Sequence, residues 1–177
     1  RVTQQLTPKT ADQRPFLLRY GMVMQLPYGM QTSEFYGRGP IENYADRKLS
    51  QNVGIYKQSA DEQFYPYIRP QETGTKSDIR WWKQTDDSGF GFGIVSPELF
   101  SASALHYAIA DLDEGLEKAQ RHSPQVPKSK YTELCIDLAQ TGLGGVNSWS
   151  RDAIALPPYR LPYKQYTFTF TLVPQKK

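Results

Sequence analysis

A chain of 177 residues with 38% hydrophobic and 13% aromatic content is long and apolar enough to form one domain with a real core. Its 21 basic and 18 acidic residues are interspersed and leave a net charge of only +3, which excludes the single-sign field that nucleic acid or an anionic membrane requires. No apolar run approaches the roughly 20 residues of a membrane span, and the lone Cys135 excludes an internal disulfide, so the compartment (cytoplasmic or periplasmic) stays open.

The chain opens on "RVTQQLTPKTADQRP", polar, Pro-bearing and without an apolar middle; residues 1–15 read as a linker or lead segment and residues 16–177 as the domain. "LLRYGMVMQLP" then sets Leu18, Tyr20, Met22, Met24 and Leu26 on one face of a strand. Glycines and prolines from residue 27 to residue 80 predict long, shaped loops. "DIRWWKQT", "FGFGIVS" and "FSASALHYA" follow as shorter strands, with Trp81 and Trp82 on opposite faces, one for the core and one for an interdomain surface. In "ADLDEGLEKAQRH", Asp111 caps a helix with Glu114 three residues on, and Leu112, Leu116 and Ala119 share a side. "YTELCIDLA" alternates Leu134, Ile136 and Leu138 against Glu133, Cys135 and Asp137, and "YTFTFTLVP" closes the chain with Tyr166, Phe168, Phe170 and Leu172 opposite threonines. The period is two almost throughout, so the fold class is all-β: an antiparallel sandwich with one short helix.

Several chemistries fall away on physical grounds. "GFGFG" is not followed by a helix that would hold phosphate. His106 and His122 stand on different elements, outside any cluster of metal ligands. No strand-turn-helix G-x-S-x-G supports a Ser nucleophile, and nothing places a base beside Cys135.

"YGRGPIENYADR" (36–47), "PYIRPQETGTKSDIRWW" (66–82), "LFSASALHYAIADLDEG" (99–115) and "GLGGVNSWS" (142–150) stand in order at matching spacing. Together they resemble the C-terminal, small-chain domain of the family 2 β-galactosidases, and the terminal strands extend the likeness over nearly the whole chain. The resemblance implies a β-supersandwich of the galactose mutarotase type, missing its early strands here, packed on a separate catalytic barrel in the parent chain. Unpaired sheet edges in such a piece favour self-association into an oligomer. It also implies that the catalytic acid and nucleophile, and the magnesium and sodium ligands, lie in other domains, so this domain carries no cofactor and no catalytic residue. The retaining mechanism of that family needs two carboxylates about 5 Å apart on rigid strand ends, which a β-rich chain of this size does not supply.

The site expectation centres on the turn "GGVNSWS". A turn of glycines, Asn and serines folds without an indole, so Trp149 needs a separate reason. The resemblance implies that Trp149 reaches into the active site and stacks on the sugar, with Asn147 and Ser148 as polar partners for hydroxyls; at "VNSW" the sequence departs from the acidic residues that the family carries before the Ser. Glu42, Asn43, Asp46 and Arg47 read as residues that pin a loop, and Arg69, Glu72 and Arg80 as a charge-assisted cluster shaping a groove. Three functions stay in view: an accessory domain completing the β-galactoside site of a catalytic barrel, an autonomous carbohydrate-binding module, and an aldose epimerase using Glu72 with His106. A shallow free aromatic surface marks the second, and a deep pocket joining His106 to Glu72 marks the third.

Overall fold

The computed structural model describes residues 1–9, 16–113, 121–147 and 149–175. Its strands are β1 (Val2–Leu6), β2 (Arg19–Pro27), β3 (Thr32–Gly39), β4 (Asn52–Ser59), β5 (Lys76–Thr85), β6 (Gly91–Leu105), β7 (Tyr131–Gln140) and β8 (Tyr166–Gln175), with single helical turns α1 (Ala60–Gln63) and α2 (Ile109–Leu112). Every strand pairing is antiparallel, in one open, sandwich-like sheet of order β1-β8-β6-β5-β3-β4, with β7 joined to β6 and β2 joined to β7.

The sheet branches at β6, which the sequence divides into two strands. Its first part, Gly91–Val95, pairs with β8, and its last part, Ser101–Leu105, pairs with β7. Pro97, which has no N–H to donate, falls between these partners where the ladder is interrupted, and so a single strand of 15 residues passes through it. Both branches feed one core: Phe168 and Phe170 from β8 meet Leu134 and Ile136 from β7, Leu26 from β2, and Phe35, Ile79, Trp82 and Ile94 from the central strands. Trp82 stacks on Phe35 at 5.0 Å, and its Nε1 donates to Gln84 Oε1 at 2.9 Å, so the buried indole leaves no donor unpaired.

Four expectations change. Residues 2–6 are not a lead segment: Val2–Leu6 pairs residue for residue with Tyr166–Phe170. The stretch from 27 to 80 holds β3 and β4, whose strand character is masked because inward positions carry Ser33, Gly37 and Gly39 while Ile55 points outward, 64% exposed. Leu18 precedes the strand and is 76% exposed, outside the face that Met22, Met24 and Leu26 form. A helical turn starts earlier than expected, at Ile109–Leu112 with Ala108 at its N-cap and no side-chain cap, so Asp111 lies inside the turn; the rest of the expected helix, with Glu114, Leu116 and Ala119, lies outside the described residues.

Cys135 is buried on β7, and that burial pushes its thiol up to about 12, far above reactive range. A thiol-specific reagent at pH 8 is therefore expected to leave Cys135 unmodified in the folded chain and to label it fully in denaturant. Rapid labelling without denaturant would show an opening of β7 that this packing forbids.

Candidate functional site

The site grows from the segment after β3. Asn43, fully buried, donates through Nδ2 to the carbonyls of Arg38 and Ile41, both at 3.0 Å, while its Oδ1 accepts from Ser77 N at 3.0 Å. Glu42 gathers donors: Gly74 N at 2.7 Å, Arg47 Nη2 at 2.6 Å, Tyr44 Oη at 3.2 Å, and the Tyr67 hydroxyl. The pair thus stitches this segment to the start of β5 and to the 65–75 loop. Arg47 completes the cluster, donating to Tyr67 Oη at 2.7 Å with its guanidinium over the Tyr44 and Tyr67 rings.

Asp46 does something different. Its carboxylate crosses to the glycine-rich loop and accepts from Leu143 N at 3.2 Å and Gly144 N at 2.7 Å. A Cβ on Gly142 would stand 2.5 Å from the Asp46 carboxyl group, so only glycine lets the two segments approach this closely. Beyond this latch, Asn147 Oδ1 accepts from Trp149 N at 3.0 Å and Ser150 N at 2.9 Å, while its Nδ2 donates to Ser150 Oγ at 2.8 Å. Val146 N donates to Asp152 O at 3.0 Å. The result is an Asx-type turn held at both ends, and it displays an indole that is 84% exposed. Asp46→Ala is expected to release both loop amides to water. Hydrogen exchange at Leu143 and Gly144 should accelerate by at least tenfold, with a stability loss of about 1–3 kcal/mol; unchanged exchange would show that the glycine loop holds itself.

Beside the latch lie two adjoining cavities that share Gln71, Glu72 and Leu143 as a common wall. One, of about 420 Å³, is also lined by Asp46, Arg47, Tyr67 and Arg69; the other, of about 300 Å³, is also lined by Arg19, Gln140 and Thr141. Burial raises the Glu72 carboxyl above its ordinary range, against the opposing pull of Arg19 and of the Thr75 hydroxyl that donates to it at 2.9 Å. Arg19, which the pattern of periods does not single out, bridges Glu72 at 3.3 Å and the buried Asp137. The signal available in the sequence was an arginine at the head of a mostly apolar strand and a lone acid within "CIDLA"; the register sets Arg19 opposite Gln140, from where its side chain reaches Asp137.

The structure thus brings Arg69 and Glu72 to one cavity and sets His106 elsewhere. His106 is fully buried and stacked on Tyr28 at 3.8 Å, with Nε2 donating to the Tyr28 carbonyl and Nδ1 3.2 Å from the Asp61 carboxylate. Asn147 spends its amide on the turn, Ser148 lies outside the described residues, and Arg80 folds back on Tyr36 and the Asp78 carbonyl. Among the described residues no group of three or more His, Cys, Asp and Glu side chains stands together as metal ligands.

Residues 1–172 match the family described as beta galactosidase small chain. The chain belongs to that family. A beta-galactosidase of Priestia megaterium is 36% identical over 175 residues, which is 98% of this chain and 16% of that protein. Beta-galactosidase BgaC of Bifidobacterium adolescentis is 36% identical over 138 residues, 76% of this chain and 13% of that protein, and a beta-galactosidase of Lactobacillus delbrueckii subsp. bulgaricus is 33% identical over 141 residues, 80% and 13% respectively. This small-chain domain therefore spans less than a fifth of the length of the curated relatives it matches.

Proposed function

We propose that this chain is the accessory domain of a β-galactosidase, completing the glycoside site of a separate catalytic barrel and hydrolysing nothing by itself. The observation that carries the reading is Trp149, an indole 84% exposed on a turn whose two ends are latched by Asp46 and Asn147. Exposing so large a ring forgoes the burial that an indole ordinarily gains, and a sugar offers the matching surface: a face of C–H groups that packs on an aromatic plane. The two cavities next to the Asp46 latch carry Arg69, Gln71 and Glu72 on their walls, polar groups of the kind that sugar hydroxyls pair with.

Catalysis itself belongs elsewhere in this reading, together with the magnesium and sodium ions of the parent enzyme. Glu72 and Asp137 are both tied to Arg19, and Asp137 is buried, so neither is presented as the acid or nucleophile of a retaining pair. The chain alone is expected not to cleave a chromogenic β-galactoside; turnover that survives removal of every trace of host enzyme would overturn the assignment. Exchanging the ring at position 149 in the parent enzyme tests the platform directly.

The exposed ring also suits an autonomous carbohydrate-binding module. Saturable binding of methyl β-galactoside to the isolated chain, lost in Trp149→Ala, favours that second reading. The epimerase reading is not favoured, since neither of the two cavities lined by Glu72 is lined by His106 and both His106 nitrogens face acceptors.

A further inference from the structure

We propose that the larger of the two cavities beside the Asp46 latch takes a sugar ring that bears a carboxylate, a uronic acid, held through Arg69 and Arg47. The sugar half of this assignment rests on the accessory-domain reading, and the carboxylate half does not. The cavity measures about 420 Å³, within the roughly 300–1,000 Å³ of small-molecule sites, which gives room for one six-membered ring with its substituents.

The acceptors on its wall are already occupied. Asp46 gives one carboxylate oxygen to Leu143 N and the other to Gly144 N. Glu72 accepts from the Thr75 hydroxyl at one oxygen and from Arg19 Nη1 at the other. The Tyr67 hydroxyl donates to Glu42 and accepts from Arg47. The donors on the same wall are not occupied. Arg69 is exposed, and among the described residues its guanidinium makes no hydrogen bond or ion pair, so five N–H groups remain to be placed. The Arg47 side chain is 52% exposed and uses Nη2 alone for Glu42 and Tyr67, which leaves the protons on Nε and Nη1 without an acceptor among the described residues. Arg47 is also held in place before any ligand arrives, its guanidinium 5.3 Å and 5.8 Å from the Tyr44 and Tyr67 ring centroids, so binding costs it little side-chain freedom.

The chemistry of the occupant follows from this surplus of N–H donors. A carboxylate meets a guanidinium through two parallel charge-assisted bonds, whereas a hydroxyl offers a single neutral oxygen. A second negative charge, as on a phosphate ester, is opposed by the Asp46 and Glu72 carboxylates on the same wall. Leu143 and the Tyr67 ring give the ring carbons an apolar surface, and the exposed Gln71 amide is a partner for a hydroxyl.

The test titrates this chain with methyl β-galacturonide while following the nitrogen-15 arginine Nε–H resonances, that of Arg69 being the one lost in Arg69→Gln. The uronide is expected to shift the Arg69 resonance saturably and to bind about tenfold more tightly than methyl β-galactoside, the difference between a charge-assisted and a neutral hydrogen bond. Arg69→Gln, which removes a cation that holds no bond, should abolish this preference without lowering the melting temperature. Arg69→Lys, which keeps the charge and loses the fork, should fall between. Acetate, which lacks the ring, and methyl β-galactoside 6-phosphate, which carries the second charge, should both bind more weakly than the uronide. An unmoved Arg69 resonance, equal binding of the uronide and the neutral glycoside, a preference that survives Arg69→Gln, or acetate or the phosphate ester binding as tightly as the uronide would each overturn the proposal. Trp149→Ala is expected to leave uronide binding intact. Loss of binding in that variant alone would set the uronide on the indole and overturn this site while leaving the accessory-domain reading in place; unchanged kinetics on exchanging the ring at position 149 in the parent enzyme would remove that reading and leave this titration decisive for the arginines.

Discussion

In a β-galactosidase that carries this chain as its small-chain domain, as proposed above, Trp149→Ala is expected to lower kcat/KM by about 5-fold to 150-fold while leaving the melting temperature unchanged. The magnitude follows from losing one ring-stacking contact, roughly 1–3 kcal/mol by analogy with bases stacked on aromatic side chains. The separation of activity from stability follows from geometry. The ring is 84% exposed, and the turn is closed by the Trp149 backbone N–H and the side chain of Asn147, not by the indole. Trp149→Phe retains an apolar plane of smaller area and should fall between the wild type and the alanine variant. Kinetics and thermal melting measured side by side decide the matter: unchanged kinetics with a lowered melting temperature would make the indole a packing residue and remove the central support of the accessory-domain proposal.

The strands that the sequence announces are those with an apolar residue at every second position, β2, β7 and β8, because there the inward face is written in side chains. β3 stayed hidden since its inward positions include Gly37 and Gly39, chosen for close packing, and Ser33, which is bonded to Gln84 at 2.8 Å. On β7 the alternation is visible but its meaning is not. Glu133, Cys135 and Asp137 look like a solvent face, yet β7 lies between β2 and β6 and all three are buried. Trp149 stood out because an indole is out of place in a Gly-Asn-Ser turn. The latch on that turn was not legible, because Asp46 and Gly144 are far apart in the chain and only the folded path brings them to 2.7 Å. "ENYADR" was read as loop-pinning residues without a target; its targets are the 65–75 loop for Glu42, the start of β5 for Asn43 and the glycine-rich loop for Asp46.

The largest stability effect is expected at a residue no periodicity marks. Arg19→Met should cost about 3–5 kcal/mol, a large share of the roughly 5–15 kcal/mol that holds an ordinary domain together. Arg19 grips Asp137 with two nitrogens, Nε at 3.2 Å and Nη2 at 2.5 Å, and reaches Glu72 with the third at 3.3 Å. The Asp137 side chain is only 2% exposed, so its charge has no recourse to water. Once Arg19 is gone, Gln140 Nε2 at 3.1 Å is the side-chain donor left to it among the described residues, and a neutral amide does not replace a bidentate guanidinium. Gly21 belongs to the same device. It sits opposite Asp137 at the β2 bulge, and a Cβ there would collide with the Asp137 carboxylate and the Ile136 carbonyl. Because breaking a buried pair leaves an uncompensated charge whereas replacing both partners does not, Arg19→Met with Asp137→Leu should recover most of the loss. Denaturant unfolding of the two variants beside the wild type measures this. A single variant that loses less than about 1 kcal/mol, or a double variant no more stable than the single, would mean that the ion pair is incidental to the fold. With the expected result, the residue that secures the β2–β7 branch is also the one that fixes Glu72 at the wall shared by the two cavities, so core stability and the shape of those cavities depend on the same guanidinium.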